Sequence, residues 1–366
     1  MRILVATLGS IGDLMPFLAV AEALRRRGHE VIIASHAGYA PLVQRAGFGF
    51  GIIWNAMLAG LDDLLEQAPE QAWDRVRREL FEPAAGPTAA FIRHAGAVKD
   101  CVVLASWSVF GAVQACRDMG LPLMRACLSP HAVREAAHQP GGDHWLGFFP
   151  DWFCAPQPGW PDIRLTGLPA LDDTLIPPLD PALETFLDAG PAPIVFTPGS
   201  YQRHSRNFFA QSLESCAALG ARAVFLTPHA DQVPASLPRD VLYLKYAPLS
   251  RLAPRAAALV HHGGIGTLAE GLRSAAPQIA IPLFFDQFDN AQRLEALGVG
   301  RSLPAQDCDA ATLTASLGQI LGDGGLRARC RQVQSRFSGA DPAAEIAALV
   351  EQAARGALTS GSARPA

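Results

Sequence analysis

The chain has 366 residues, of which 49% are apolar and 17% charged, with a formal net charge of −4. That length accommodates two ordinary domains with real cores, and the charge content excludes a highly charged disordered chain. No basic stripe supports nucleic-acid binding, and no apolar run approaches the roughly 20 residues of a transmembrane helix.

In chain order, residues 2–7 read as a short β-rich run, 9–13 as a Gly-rich turn and 16–27 as a helix with Phe17, Val20, Ala21 and Leu24 on one face. The apolar start is too short for a signal peptide, so a cytoplasmic location is expected. A strand is expected at 31–34, a short helix at 41–46, a strand at 50–53 and helices over 61–80 and 83–98. A buried parallel strand follows at 101–105, from its continuous apolar character, and a helix over 109–119. From 130 to 192 Pro, Gly, Trp and His crowd the chain, including Gly141 and Gly142, and loops are expected with one short strand at 163–165. The alternation restarts with strands at 194–197, 223–226, 241–244, 257–260 and 278–281. Helices are expected over 203–219, from about Thr267, and over 287–297, 310–321, 325–337 and 342–354.

Two copies of a β/α pattern joined by a Pro-rich stretch make an α/β protein with two Rossmann-like β/α/β domains facing across a cleft. The expected division is 1–176, a linker at 177–192, a second domain at 193–340, a C-terminal helix at 341–356 packing back on the first domain, and a flexible tail at 357–366. In open parallel sheets, ligands sit at the carboxyl ends of the strands. The Gly-rich loops after the first strand, after 197 and after 260 all lie there. The seven cysteines have no CxxC spacing and read as small buried residues in a reducing compartment.

The sharpest motif is His261-His262-Gly263-Gly264-Ile265-Gly266-Thr267, with Glu270 after it. It follows a strand and opens a helix. Glycines admit a close ligand, and a helix N-terminus offers N–H groups to a diphosphate. Such a turn is equally often only a tight turn. It lacks the Lys of GxxxxGK[ST] and the spacing of GxGxxG. By position alone Asp13 is an N-cap, Asp286 is well placed as another, and Glu270 would complement the dipole in the first turn of its helix. Tyr246 on its own is an ordinary half-buried aromatic. Asp307-Cys308-Asp309 is the one Asp-x-Asp, and Asp309 reads as an N-cap, not a metal ligand.

Taken together the motifs resemble the family 1 nucleotide-sugar glycosyltransferases of GT-B fold. The similarity is to the bacterial branch that includes rhamnolipid rhamnosyltransferases, sterol glucosyltransferases and glycopeptide-antibiotic glycosyltransferases. It rests on residues 260–267, 277–291, 297–300, Tyr246-Ala247-Pro248, 9–16 and 27–31. It spans both halves and is weakest over 55–192.

The resemblance implies an inverting transfer of a hexose (glucose, rhamnose or another deoxysugar) from a UDP- or dTDP-sugar to a hydroxyl of an apolar lipid or natural product. Asp13 occupies the slot of the general base, where many relatives have His; the acid that supports that His is replaced by Ser106. Ser200, His262, Gly264, Ile265, Gly266 and Thr267 would hold the diphosphate, Tyr246, Ala247 and Glu270 the nucleoside, and Asp286 with Gln287 the donor sugar. Leu249 replaces a common Gln. Ser10, Ile11 and Trp107 lie on the acceptor side, within an apolar region that includes Trp54, Met57, Trp145, Phe148, Phe149 and Trp152. No metal or cofactor is expected, a peripheral membrane contact is compatible with the acceptor chemistry, and the oligomeric state is open. The rival readings are a non-catalytic nucleotide-sugar-binding helper and a UDP-sugar 2-epimerase.

Overall fold

The computed structural model describes residues 1–55, 69–139, 144–200 and 205–356. These form two compact units. One joins the described residues up to Leu175 to those from Ala340 onward; the other comprises those of Ile176–Gly339.

The first unit is built on seven parallel strands: β1 (Arg2–Ala6), β2 (Glu30–His36), β3 (Gly49–Trp54), β4 (Cys101–Ser106), β5 (Leu123–Cys127), β6 (His144–Gly147) and β7 (Ile163–Leu165). Their order is β3-β2-β1-β4-β5-β6-β7. Ala6 of β1 lies between Ala34 and Ala105 of its two neighbours. Ile3, Leu4 and Val5 are all fully buried, the mark of a strand covered on both faces. Strand order reverses between β1 and β4, so their carboxyl ends form the topological switch point.

The helix after β1 spans Ile11–Arg26, five residues earlier than expected. Ser10 is its N-cap, which places Asp13 inside the first turn instead of at the cap. Pro16, where the expected helix begins, sits within the helix. Phe17 is fully buried, with its ring 5.2 Å from that of Phe148 on the far side of the sheet order. Burying such a side chain stabilises the fold by roughly 1.5–3 kcal/mol.

The stretch read as loops from 130 onward contains the helix Pro130–Ala136 and strand β6. Ser129 caps the helix by accepting the Ala132 N–H at 3.3 Å, with Pro130 in the first turn, a start signal hidden among the other prolines. Strand β6 has four residues, too few to display a period, and is held by pairing with β5 and β7. The helices expected over 61–80 and 83–98 are Pro69–Val76 and Glu82–Ala95, joined by a π-helical turn at Arg77–Phe81. Residues 61–68, Met57, Gly141, Gly142 and the tail 357–366 lie outside the described residues.

The second unit has six parallel strands: β8 (Ile194–Thr197), β9 (Ala223–Leu226), β10 (Val241–Leu244), β11 (Ala258–His261), β12 (Gln278–Ala280) and β13 (Gly300–Ser302). Their order, β10-β9-β8-β11-β12-β13, reverses between β8 and β11, where Thr197 pairs with His261. Strand β13 reads Gly-Arg-Ser and carried no apolar signal. Residues 177–192, expected as a linker, hold the helix Pro181–Asp188. The Asp180 carboxylate accepts the Ala182 N–H at 2.8 Å at its start. Leu183 and Leu187 of that helix are buried with Val195, Val224, Leu252 and Leu259.

The helix Pro342–Ala354 belongs to the first unit, with Ile346, Ala347, Leu349, Val350 and Ala353 buried. Glu351 accepts from Arg27 at 2.7 and 2.8 Å and bonds His29 Nε2 at 2.8 Å. The Arg27 guanidinium, aided by His29, draws the Glu351 pKa down to about 2. The seven cysteines, all described, form no disulfide, and six are buried. No helix of the described residues is long and apolar enough to cross a membrane.

Candidate functional site

At the switch point of the second unit, β11 runs into Gly263, whose φ is +85°, and the helix Ile265–Arg273 opens on Gly264 with no side-chain cap. The N–H groups of Ile265, Gly266 and Thr267 in its first turn therefore have no intrahelical partner. They suit an anion.

The two adjacent histidines do different things. His261 is fully buried: its Nδ1 accepts the Gly263 N–H at 3.0 Å, and its Nε2 faces Gln278 Oε1 at 2.9 Å. Since Nδ1 accepts, the proton must sit on Nε2 and is donated to Gln278. Half-buried His262 lies against two glycine backbones. A Cβ at Gly264 would come within 2.4 Å of its Nε2, and one at Gly199 within 2.9 Å of its Cε1. Any side chain at 199 or 264 would displace the ring. Burial lowers the pKa to about 3 for His261 and about 4 for His262, so both imidazoles are neutral at pH 7. Ser200 is exposed in the same loop as Gly199, after β8.

Around this turn, Glu270 is the sixth residue of its helix, too far along to complement the dipole as expected; it pairs with Arg273 at 3.0 Å. Tyr246 is 58% exposed, so the half-buried alternative does not hold, while the Ala247 methyl is buried in the core. Leu249 packs against the same core. Asp286 occupies the N-cap position of the helix Gln287–Ala296 but makes no capping bond; its Oδ2 accepts from Asn290 Nδ2 at 3.0 Å. Gln287 is buried, and its Oε1 accepts the N–H groups of Leu283 and Phe284 at 2.9 and 3.2 Å. Its oxygen thereby shapes the loop before the helix. Phe285 has φ +58°, a conformation costing a non-glycine residue of order 1–3 kcal/mol, beside Asp286.

At the switch point of the first unit, the backbone N–H of Ser10 and its hydroxyl both donate to Asp13 Oδ2, at 2.6 and 2.7 Å. Asp13 is half-buried; burial raises its pKa, and the Ser10 bonds oppose the rise. Gly9, at φ +127°, leaves room for this carboxylate: a Cβ there would fall 2.5 Å from Oδ2. Tyr39 donates its hydroxyl to the Gly9 carbonyl at 3.3 Å. Ile11 is half-buried in the first turn of the same helix.

At the end of β4, Ser106 pairs with Ser108 at 3.0 Å. Trp107 is buried, stacked on Trp73 with ring centroids 5.4 Å apart. Its carbonyl accepts from Arg125 Nη2 at 2.6 Å. Arg125 is itself buried, lies over the Trp145 ring at 4.3 Å, and has its pKa lowered to about 10 by burial. Of the expected apolar surroundings, Trp145, Phe148 and Phe149 are core.

Sequence reasoning missed Tyr39, Arg125, Gln278 and Asn290. Gln278 and Asn290 lie inside the stretch 277–291 on which the resemblance rests but were given no role there; Tyr39 and Arg125 belong to no motif, although a lone Arg inside the apolar run of β5 is a signal of a buried, partnered charge. Among the described residues no group of three His, Cys, Asp or Glu could hold a metal ion. Asp309 caps its helix, its Oδ1 accepting the Thr312 N–H at 2.8 Å.

Two parallel-sheet units, with a Gly-lined helix start at the second switch point, are the build of a GT-B glycosyltransferase. The chain matches the family model described as glycosyltransferase family 28 N-terminal domain over residues 3–137. It matches the erythromycin biosynthesis protein CIII-like C-terminal domain over 210–352. It is 27% identical to O-mycaminosyltylonolide 6-deoxyallosyltransferase of Streptomyces fradiae, over 96% of this chain and 97% of that one. It is 26% identical to L-demethylnoviosyl transferase of Streptomyces niveus, over 91% and 93%. The solved structure of spinosyn rhamnosyltransferase SpnG complexed with thymidine diphosphate matches with a TM-score of 0.72 at 22% identity, covering 95% of this chain and 100% of that one. The chain belongs to the GT-B glycosyltransferases and joins a family 28 N-terminal domain to an EryCIII-like C-terminal domain.

Proposed function

We propose that the protein moves a hexose, in first place a deoxyhexose, from a dTDP- or UDP-sugar to a hydroxyl of an apolar natural product, with inversion at the anomeric carbon. The observation that carries the donor half is the uncapped start of the helix Ile265–Arg273 beside a neutral His262 held between Gly199 and Gly264. The relatives' 6-deoxyallosyl, demethylnoviosyl and rhamnosyl groups support a deoxyhexose, and the thymidine diphosphate held by SpnG supports a dTDP donor.

In this reading the second unit holds the donor. The first-turn N–H groups, Thr267 and Ser200 bind the diphosphate, and a neutral His262 donates one hydrogen bond. Tyr246 stacks on the base, Glu270 binds the ribose, and Asp286 with the Gln287 amide binds the sugar. The first unit supplies the base. As the acceptor oxygen bonds to the anomeric carbon, the bond to the diphosphate oxygen breaks, and Asp13 takes the hydroxyl proton on Oδ1 while Oδ2 stays bonded to Ser10. Negative charge builds on the leaving diphosphate, where preorganised donors lower the barrier without reorganising. No step requires a metal. Ser10, Ile11 and Trp107 border the acceptor.

The test is product mass spectrometry with a panel of dTDP- and UDP-sugars and hydroxylated apolar acceptors, with the anomeric configuration read by NMR. Glycosylated product from wild type, formed about 10²–10⁴ times more slowly by Asp13→Asn, is expected. Donor binding without turnover in either would mark a non-catalytic helper, and epimerised free donor an epimerase.

A further inference from the structure

Gly263 is held at both of its backbone polar groups by buried side chains. Its N–H donates to His261 Nδ1 at 3.0 Å, and its carbonyl accepts from Asn290 Nδ2 at 3.1 Å. Both side chains are 0% exposed. His261 is fixed in turn by Gln278. Gln278 sits against Gly271, where a Cβ would meet its Cδ at 2.3 Å. Asn290 Nδ2 also donates to Asp286 Oδ2 at 3.0 Å.

The consequence follows from the planar trans peptide. The Gly263 carbonyl and the Gly264 N–H belong to one peptide unit and point in opposite directions. Holding the carbonyl inward on Asn290 aims the Gly264 N–H outward, at the start of the helix Ile265–Arg273. Glycine on both sides makes that peptide easy to flip, and a flip would present a carbonyl oxygen to an anion in place of a donor.

We propose that His261 and Asn290 are positioning residues that set the direction of the Gly263–Gly264 peptide for diphosphate binding. Asn290 also ties this turn to the carboxylate of Asp286. The inference rests on the nucleotide-sugar reading above.

The experiment is calorimetric titration of dTDP and UDP, and of thymidine and uridine, into wild type, Asn290→Ala, His261→Gln and His261→Asn, with melting temperatures alongside. Asn290→Ala and His261→Gln are expected to weaken the nucleoside diphosphate about tenfold, the size of one lost buried hydrogen bond, with nucleoside affinity unchanged. In His261→Asn the amide oxygen replaces Nδ1 as acceptor for the Gly263 N–H, so diphosphate affinity stays within about threefold. Should Asn290→Ala not fold, Asn290→Ser is read in the same way.

A diphosphate-to-nucleoside affinity ratio unchanged in Asn290→Ala and His261→Gln overturns the proposal, including the case where both affinities fall together with the melting temperature. A wild type that binds no nucleoside diphosphate overturns the functional reading and this inference with it. A wild type that binds and turns over donor while the variants keep its ratio removes this inference alone.

Discussion

Ser10 directs both of its donors at one oxygen of Asp13, 2.6 Å from its backbone nitrogen and 2.7 Å from its hydroxyl. The pair ties the N-cap of the first long helix to the carboxylate that the proposed reaction uses as base. Burial raises the Asp13 pKa, and these bonds restrain the rise. The acid limb of kcat/KM is therefore expected above the ordinary carboxylate range near about 3.9. Ser10→Ala should move that limb to higher pH, because one donor to the ionised form is lost, and Asp13→Asn should lower kcat by about 10²–10⁴. An acid limb that stays in place in Ser10→Ala, in steady-state pH profiles, would show that the hydroxyl does not tune the base.

Gly9 offers a steric version of the same test. An alanine there would place its Cβ 2.5 Å from Asp13 Oδ2 at a φ of +127°. Gly9→Ala is expected to cost about 1–3 kcal/mol of stability through backbone strain and to lower kcat by moving the carboxylate. Calorimetric melting and turnover are read together. Strain without any change in kcat would separate the loop's fold from the base's position.

The histidine pair sets a pH dependence of stability. Both folded-state pKa values, about 3 for His261 and about 4 for His262, lie below the unfolded value of about 6.5. Between those limits the unfolded chain binds more protons, so stability falls as pH drops from about 6.5 towards 4 and is flat above about 7 as far as these groups are concerned. His261→Asn should flatten part of that slope in melting temperatures measured from pH 4 to 7. A slope identical to wild type would mean that other groups carry it.

Glu351 predicts a second acid-labile contact. Its pKa is drawn to about 2 by Arg27 and His29, so the stabilisation is present above the usual glutamate range and is lost as pH falls towards 2. With Arg27 partly exposed, solvent screening limits the effect; Glu351→Gln is expected to cost about 1 kcal/mol at pH 7, measured by denaturant unfolding.

The alternation of apolar runs and helical faces made the α/β class legible, because strands buried on both faces read as continuous hydrophobic stretches. What escaped was held by neighbours more than by local pattern. Strand β13 is Gly-Arg-Ser and exists because β12 pairs with it. The helix Pro181–Asp188 hid among prolines, although Asp180-Pro181 is a cap followed by a first-turn proline. At the candidate site, the Gly-rich turn stood out from spacing and Asp13 only through the family resemblance, and the split of labour between His261 and His262 did not. Which histidine is enclosed depends on Gln278, seventeen residues away on β12. Asp13 itself was displaced from cap to first turn because Ser10, not Asp13, takes the extended cap conformation.

The helix Pro342–Ala354 lies at the far end of the chain from β1, yet its apolar face is buried in the unit that β1 begins. Vectorial synthesis therefore cannot finish the first half before the second has emerged from the ribosome. Until then the surface beneath Ile346, Leu349 and Val350 stays wet, and a nascent chain stalled near Gly339 would present it to chaperones.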